Sequence, residues 1–157
     1  MSRTPSGDAV TELILEVFRL NGRLLVAGDR LVADLGLTSA RWQVLGAIAL
    51  SDRPQPVAWL ARSMGLNRQG VQRIVNELQN EGLVAFQPNP NHRRAHFVVL
   101  TGHGKSTYDK AERLQGPWVN SLAKGVSVKD VAAANRVATA LRERLEKEMS
   151  NENEGNA

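Results

Sequence analysis

The sequence contains no cysteine. This absence excludes disulfide bonds, thiolate metal ligands and a cysteine-based redox switch within the 157 residues. No apolar run approaches the roughly 18 residues that a membrane-spanning helix requires, so we expect no membrane association. The first residues carry charges and lack the apolar stretch of a secretory signal, so we expect a cytoplasmic protein.

Acidic residues are absent from positions 82 to 108, and this gap coincides with a concentration of positive charge. The chain as a whole has a modest net charge of +4. From Arg53 to Tyr108, however, the sequence contains seven basic and two acidic residues, a net charge of +5. The remaining residues have a net charge of −1. The positive charge therefore forms one central block, which favours a surface that meets a polyanion over chance clustering on a solvated surface.

Sequence motifs for catalysis are also missing. The chain has no Gly-x-Ser-x-Gly nucleophile elbow, no phosphate-binding P-loop and no His-Glu-x-x-His zinc motif, so we do not expect an enzyme. Of the three histidines, His92 and His96 fall in a predicted β-hairpin and so have no helical relation, and His103 is separate. No carboxylate accompanies them. We therefore predict no metal site and no cofactor.

Apolar residues that recur every three to four positions predict a mainly α-helical (α+β) chain. The pattern indicates helices over Val10–Leu25, Ala40–Leu50, Val57–Met64 and Arg68–Glu81. Asn67 is a good N-cap for the last of these. Because the last two helices are joined by a tight glycine-containing turn, they are typical of a helix-turn-helix.

A β-hairpin is predicted directly after this helix pair. Two strand-like runs, Leu83–Gln87 and Ala95–Leu100, flank the turn Pro88–Arg94, which is rich in proline and asparagine. So short a hairpin is not stable alone and must lie on the helices, as the "wing" of a winged helix does. We therefore predict a winged helix-turn-helix from Gln55 to Thr101, within a DNA-binding lobe of residues 37–101.

Long amphipathic segments, residues 8–35 and 104–149, flank this lobe. Their apolar stripes belong either to an intrachain core or to a subunit interface. DNA recognition favours the interface, because a two-fold dimer reads two half-sites one helical turn apart. We expect one domain, 1–157, with N- and C-terminal dimerisation helices and with residues 1–7 and 150–157 as flexible tails.

Polar side chains of the second helix-turn-helix helix are the main candidates for DNA contact. Arg is suited to guanine and Gln or Asn to adenine, although a merely solvated polar face is the commoner fate of such residues. An arginine at the wing tip is suited to the minor groove. The predicted contacts are Asn67, Arg68, Gln69, Gln72, Arg73 and Asn76 in the helix and His92, Arg93 and Arg94 in the wing, with Gln87, Asn89 and Asn91 as further phosphate contacts.

Residues 37–105 resemble the MarR family of bacterial transcription regulators. The family's wing signature is Asp-x-Arg, five residues, then Leu-Thr, and here it reads His92-Arg93-Arg94, residues 95–99, then Leu100-Thr101. Gly104 and the preceding Gly82-Leu83-Val84 also fit. His92 stands where the family usually has the aspartate that helps to fix the wing arginine, which leaves the positioning of Arg94 open.

The resemblance implies a homodimer that binds a pseudo-palindromic operator in double-stranded DNA with Arg94 in the minor groove. It also implies a repressor that is released by a small aromatic or phenolic ligand of unknown identity. The residues that would line the ligand pocket are Asn21, Arg23, Arg41, Trp42 and Leu45. The alternative is that Trp42 is a residue of the hydrophobic core and Arg41 a solvated surface residue, without a role in ligand binding. The alternative function is a winged-helix protein-interaction module without sequence-specific DNA binding.

Overall fold

The computed structural model describes residues 2–155, and the chain divides between Pro117 and Trp118 into two compact units. The helices and strands, in chain order, are α1 (Pro5–Val32), a short 3-10 helix (Ala33–Leu35), α2 (Ser39–Ala49), β1 (Gln55–Pro56), α3 (Val57–Met64), α4 (Arg68–Asn80), β2 (Val84–Gln87), β3 (Phe97–Leu100), α5 (Gly102–Leu122) and α6 (Val128–Gly155). The mainly helical fold class with a small β component is confirmed.

Local signals define the helix-turn-helix formed by α3 and α4. Gly65, at a φ of 65°, takes the left-handed conformation that ends α3. The side chain of Asn67 then accepts a hydrogen bond from the Gln69 amide at 2.8 Å and begins α4. Gly82, at a φ of 73°, follows α4 and turns the chain into β2. The predicted helix, turn and helix are therefore confirmed.

The three strands form an antiparallel sheet in the order β1, β3, β2. β2 and β3 are the two sides of the wing, with Val84 opposite Leu100 and Gln87 opposite Phe97. The sheet packs on the helices through one buried core. Most of its members come from α2, α3, α4 and the strands, and Val32 of α1 and Ala111 of α5 join them. They include Trp42, Val44, Leu45, Val57, Leu60, Val71, Val75, Leu78, Val84 and Val98.

The wing is fastened to the start of α5 by a close backbone contact. The Thr101 amide donates to the Leu83 carbonyl at 3.1 Å, and the Thr101 hydroxyl donates to the Gly82 carbonyl at 2.6 Å. The same hydroxyl accepts from the Gly104 amide at 3.0 Å, so Thr101 also caps α5. A Cβ at position 104 would overlap the Leu83 carbonyl. This contact explains why threonine and glycine stand at these positions.

Both terminal helices extend further than predicted. α1 begins at Pro5 because the Thr4 hydroxyl accepts from the Gly7 amide at 3.1 Å, so residues 5–7 are helical rather than a flexible tail. α6 continues past Ser150, whose hydroxyl donates to the Glu146 carbonyl, and ends at Gly155. No proline or glycine interrupts it earlier, so residues 150–155 are also helical. Positions 1, 156 and 157 of the predicted tails lie outside the described residues.

The apolar stripes of α1 and α6 are exposed in the single chain. Phe18 on α1 is 70% exposed, and Leu145 on α6 is 60% exposed. Other large apolar residues at least one-third exposed are Ile14, Leu15, Val17, Leu20, Leu24, Leu25 and Val26 on α1, and Val128, Val131, Val137 and Met149 on α6. Over residues 2–155, no helix combines the length and apolarity needed to cross a membrane.

Candidate nucleic-acid interface

Helix α4 separates its apolar and polar residues cleanly. Val71, Ile74, Val75 and Leu78 are buried on one side. On the other side the predicted contact residues reach solvent: Arg68, Gln69, Arg73 and Asn76 are exposed and Gln72 is half-buried. The helix therefore presents a row of side chains that match base edges in hydrogen-bonding capacity.

The start of α4 is shaped by Asn67. Its carboxamide oxygen accepts from the amides of both Gln69 and Gly70, so this atom is committed to capping the helix. A Cβ at Gly70 would meet nothing within 4 Å, which leaves open space beside the first turn. Of the predicted helix contacts, Asn67 thus has a structural role as a cap and retains only its amide donors for another partner.

Two further contacts organise the polar row. The Gln72 Nε2 donates to the Asn76 Oδ1 at 2.9 Å, which couples two side chains suited to adenine. One turn away, the Arg73 Nη1 lies 3.2 Å from the Glu77 Oε1. Side-chain orientation along α4 is therefore constrained before any partner is present.

Arg41 of α2 is committed to α4 rather than exposed. Its Nη2 lies 2.7 Å from the Glu81 Oε1, its Nε lies 3.4 Å from the Glu77 Oε2, and its Nη1 donates to the Gly36 carbonyl at 3.3 Å. The side chain is only 18% exposed. Two carboxylates therefore already neutralise this cation, which the resemblance assigns to the ligand pocket.

The other predicted ligand-pocket residues lie in differing environments. Trp42 and Leu45 belong to the buried core, 8% and 0% exposed. Asn21 and Arg23 are exposed on α1. The ligand pocket itself remains a prediction.

The wing turn is held by Asn89. The Asn89 Nδ2 donates to the Ala95 carbonyl at 3.0 Å, and its Oδ1 accepts from the Asn91 amide at 3.0 Å. His92 contributes through its backbone, donating to the Asn89 carbonyl and accepting from the Ala95 amide, both at 3.1 Å. The turn that carries Arg94 is thus fixed by an asparagine three residues before the position of the family aspartate.

The polar side chains of α4 and the wing line one shared cleft. The cleft has a volume of about 230 Å³, and its lining includes Arg68, Gln72 and Asn76 from α4 and Arg94 and His96 from the wing. The other two predicted wing residues, His92 and Arg93, are exposed at the turn. The fold therefore brings Arg94 beside the polar row of α4, although the two are far apart in sequence.

Sequence reasoning missed His96 as a residue of this cleft. Its ring lies 6.3 Å from the Phe86 ring across the wing, in a tilted arrangement. The alternation of side chains along a strand was the signal that would have placed both residues on one face. In the part of the chain that the structure describes, no group of three or more His, Asp or Glu side chains is arranged to hold a metal ion.

Known proteins share both sequence and fold with this chain. The MarR family model matches residues 35–95. An uncharacterized protein of Mycobacterium tuberculosis is 42% identical over 98 residues, which are 62% of this chain and 67% of that protein. The transcriptional activatory protein BadR of Rhodopseudomonas palustris is 28% identical over 107 residues, 65% of this chain and 59% of BadR.

Solved structures show the same fold. CouR of Rhodococcus jostii RHA1, bound to p-coumaroyl-CoA, superposes with a TM-score of 0.74 at 21% identity over 89% of this chain and 95% of CouR. The transcriptional repressor CouR bound to a 23-mer DNA duplex superposes with a TM-score of 0.72 at 22% identity, over 90% of this chain and 99% of that CouR chain.

A helix-turn-helix followed by a β-hairpin wing, which pairs with β1 in a three-stranded sheet, defines a winged-helix protein. The chain belongs to the MarR family of transcription regulators.

Proposed function

We propose that this protein is a sequence-specific regulator of transcription that binds double-stranded DNA as a homodimer. The observation that carries the proposal is the shared cleft, in which the base-matching side chains of α4 lie beside the wing arginine, Arg94. This cleft lies in the block of the sequence that holds all the excess positive charge. Such a surface suits the phosphate backbone and the base edges together.

Each element has a distinct part in the proposed complex. Helix α4 enters the major groove, where Arg68, Gln72 and Arg73 read base edges. Arg94 enters the minor groove, where narrow A·T tracts attract cations. The hydrogen bonds of Asn89 hold the wing turn and take over the fixing role that the family assigns to an aspartate at position 92.

Dimerisation is supported by the exposed apolar stripe of α1. A helix that leaves Phe18, Val17 and Leu24 this exposed would lose stabilisation of about 25 cal/mol for each Å² left in water. Exposed apolar stretches of this kind mark interfaces between chains. A second copy with two-fold symmetry also fits a pseudo-palindromic operator, since each subunit then reads one half-site.

We further propose that the protein acts as a cytoplasmic repressor released by a small aromatic or phenolic ligand. The solved complex of CouR with p-coumaroyl-CoA and its description as a repressor support this, whereas BadR is a transcriptional activatory protein. Because Arg41 is paired with Glu77 and Glu81, an anionic ligand gains nothing there unless it displaces a carboxylate.

The test is selection of bound duplexes from fragmented genomic DNA, followed by affinity measurements on the recovered sequence. Arg94→Ala should weaken binding to all duplexes, while Gln72→Ala and Arg73→Ala should relax the choice of sequence. If none of the three changes binding to the recovered duplex, the recognition proposal is wrong. Absence of salt-sensitive binding to any duplex, together with retention of a partner protein, would instead support the protein-interaction module.

A further inference from the structure

The two acidic residues of the basic block, Glu77 and Glu81, lie near the end of the helix that is proposed to read DNA. Carboxylates close to DNA phosphates are repelled, so their presence there requires a compensating role. Both are in contact with Arg41, which reaches them from α2. The contacts of Glu77 indicate what that role is.

Glu77 is shared between two arginines. Its Oε2 lies 3.4 Å from the Arg41 Nε, and its Oε1 lies 3.2 Å from the Arg73 Nη1. Exposure rises steadily along this row: 18% for Arg41, 38% for Glu77 and 73% for Arg73. The row therefore runs from a nearly buried anchor in α2 to a solvent-facing side chain of the recognition helix.

We propose that Glu77 is a positioning residue that orients Arg73 for base readout, and that Arg41 holds Glu77 in place. This inference rests on the proposed function. A free arginine loses much rotamer freedom when it docks on a base edge, and an ion pair formed beforehand reduces that loss. Only Nη1 of Arg73 is engaged by Glu77, so the Nε and Nη2 donors remain for bidentate contact with a base.

Arg41 is a suitable anchor because three acceptors from two parts of the fold fix its guanidinium: Glu77, Glu81 and the Gly36 carbonyl. α2 is itself tied to α1, since the Ser39 amide donates to the Asp29 Oδ1 and the Ser39 hydroxyl donates to the Leu25 carbonyl, both at 2.7 Å. The orientation of Arg73 therefore depends on packing outside the helix-turn-helix.

This arrangement lowers the affinity for DNA in general and increases the discrimination between DNA sequences. Glu77 places a negative charge beside the polyanion and weakens binding to every duplex, while the ordered Arg73 sharpens the difference between correct and incorrect sequences. Removing Glu77 and removing Arg41 should both reduce discrimination. They should change binding to unrelated DNA in opposite directions, because one substitution deletes a negative charge and the other a positive charge.

The experiment measures affinity for two duplexes, the one selected by the wild-type protein and a shuffled duplex of equal length and composition. Glu77→Gln should strengthen binding to the shuffled duplex about two- to fivefold, and should lower the ratio of the two affinities about tenfold, since one bidentate contact carries roughly that discrimination. Arg41→Met should lower the ratio as well but weaken binding to the shuffled duplex.

Arg73→Ala separates positioning from mere stabilisation. If Glu77 acts through Arg73, then Glu77→Gln introduced together with Arg73→Ala should leave the affinity ratio of the Arg73→Ala variant unchanged. A matched control is Glu146→Gln, which removes the same charge from an i,i+4 pair with Arg142 on α6. It should leave the ratio unchanged.

Two results would overturn the inference. One is an unchanged affinity ratio in Glu77→Gln, and the other is a full drop in the ratio that persists in the Arg73→Ala background. Either would leave the proposed function standing, provided that the wild-type protein prefers its selected duplex. Failure of the wild-type protein to bind any duplex would instead contradict the proposed function itself.

Discussion

Replacing Gly104 by alanine tests the contact that fastens the wing to α5. The added Cβ would overlap the Leu83 carbonyl, which is backbone and already accepts a hydrogen bond from the Thr101 amide. Because no flexible side chain can yield, α5 must shift away from the turn between α4 and β2. Overpacking of this kind costs about 1–3 kcal/mol, and overlap with backbone favours the upper part of that range.

Alanine also favours the helix by up to about 1 kcal/mol relative to glycine, so we expect a net loss of about 2 kcal/mol in the free energy of unfolding. Urea unfolding followed by circular dichroism measures it, at one fixed protein concentration because association shifts apparent stability. Gly102→Ala is the matched control. It lies in the same first turn, and a Cβ there meets nothing within 4 Å, so its stability should stay equal or rise. Equal stability of the two variants would refute the argument.

Three other predictions concern the wing, the apolar stripe and the single tyrosine. Asn89→Ala should weaken binding to the selected duplex by loosening the turn before Arg94, and an affinity titration measures the loss. Phe18→Glu should convert the proposed dimer into a monomer in sedimentation analysis, because it places a charge at the most exposed apolar position of α1. Burial and, next, the charge of Glu112 raise the pKa of the Tyr108 phenol above its ordinary value. The stability contributed by the neutral phenol is therefore complete below about pH 10 and is lost as the pH rises through the higher pKa of the folded protein; alkaline unfolding and tyrosinate absorbance measure this.

Each of these predictions has a contrary outcome. Unchanged affinity in Asn89→Ala would mean that the turn is held by other contacts. A Phe18→Glu variant that still sediments as a dimer would remove α1 from the interface. Tyr108→Phe should lose less stability than the wild-type protein above about pH 10, and identical alkaline unfolding curves would contradict the cause given for the pKa.

Sequence alone predicted the helix-turn-helix to within a residue or so, because proline, glycine and capping residues mark the ends of its helices. Pro56 and Gly65 bound α3, and Asn67 and Gly82 bound α4, so local signals decide these ends. The end of α1 is different. Helical periodicity was traced only to Leu25, although the amphipathic segment was expected to reach residue 35. The helix continues to Val32, and Gly28 packs closely against the Ser39 side chain of α2 instead of breaking it. That contact joins two different helices, so the sequence around Gly28 alone does not reveal it.

The candidate site divides in the same way. The exposed positions of Arg68 and Arg73 follow from helical periodicity, so the face of α4 was predictable. The partner of Arg41 was not, because Glu77 lies 36 residues further along the chain and meets it only after α2 packs on α4. The role of Asn89 was missed for a related reason, since an asparagine in a turn serves equally as a cap, a turn residue or a surface contact.

The central claim is that this basic winged helix binds the DNA backbone and bases, and the salt dependence of duplex binding tests it most directly. For the wild-type protein, the logarithm of the association constant should fall linearly with the logarithm of salt concentration, with a slope of about −0.9 for each phosphate neutralised. For Arg94→Ala the slope should become shallower by about one. A wild-type affinity that does not respond to salt, or an unchanged slope in Arg94→Ala, would contradict the account.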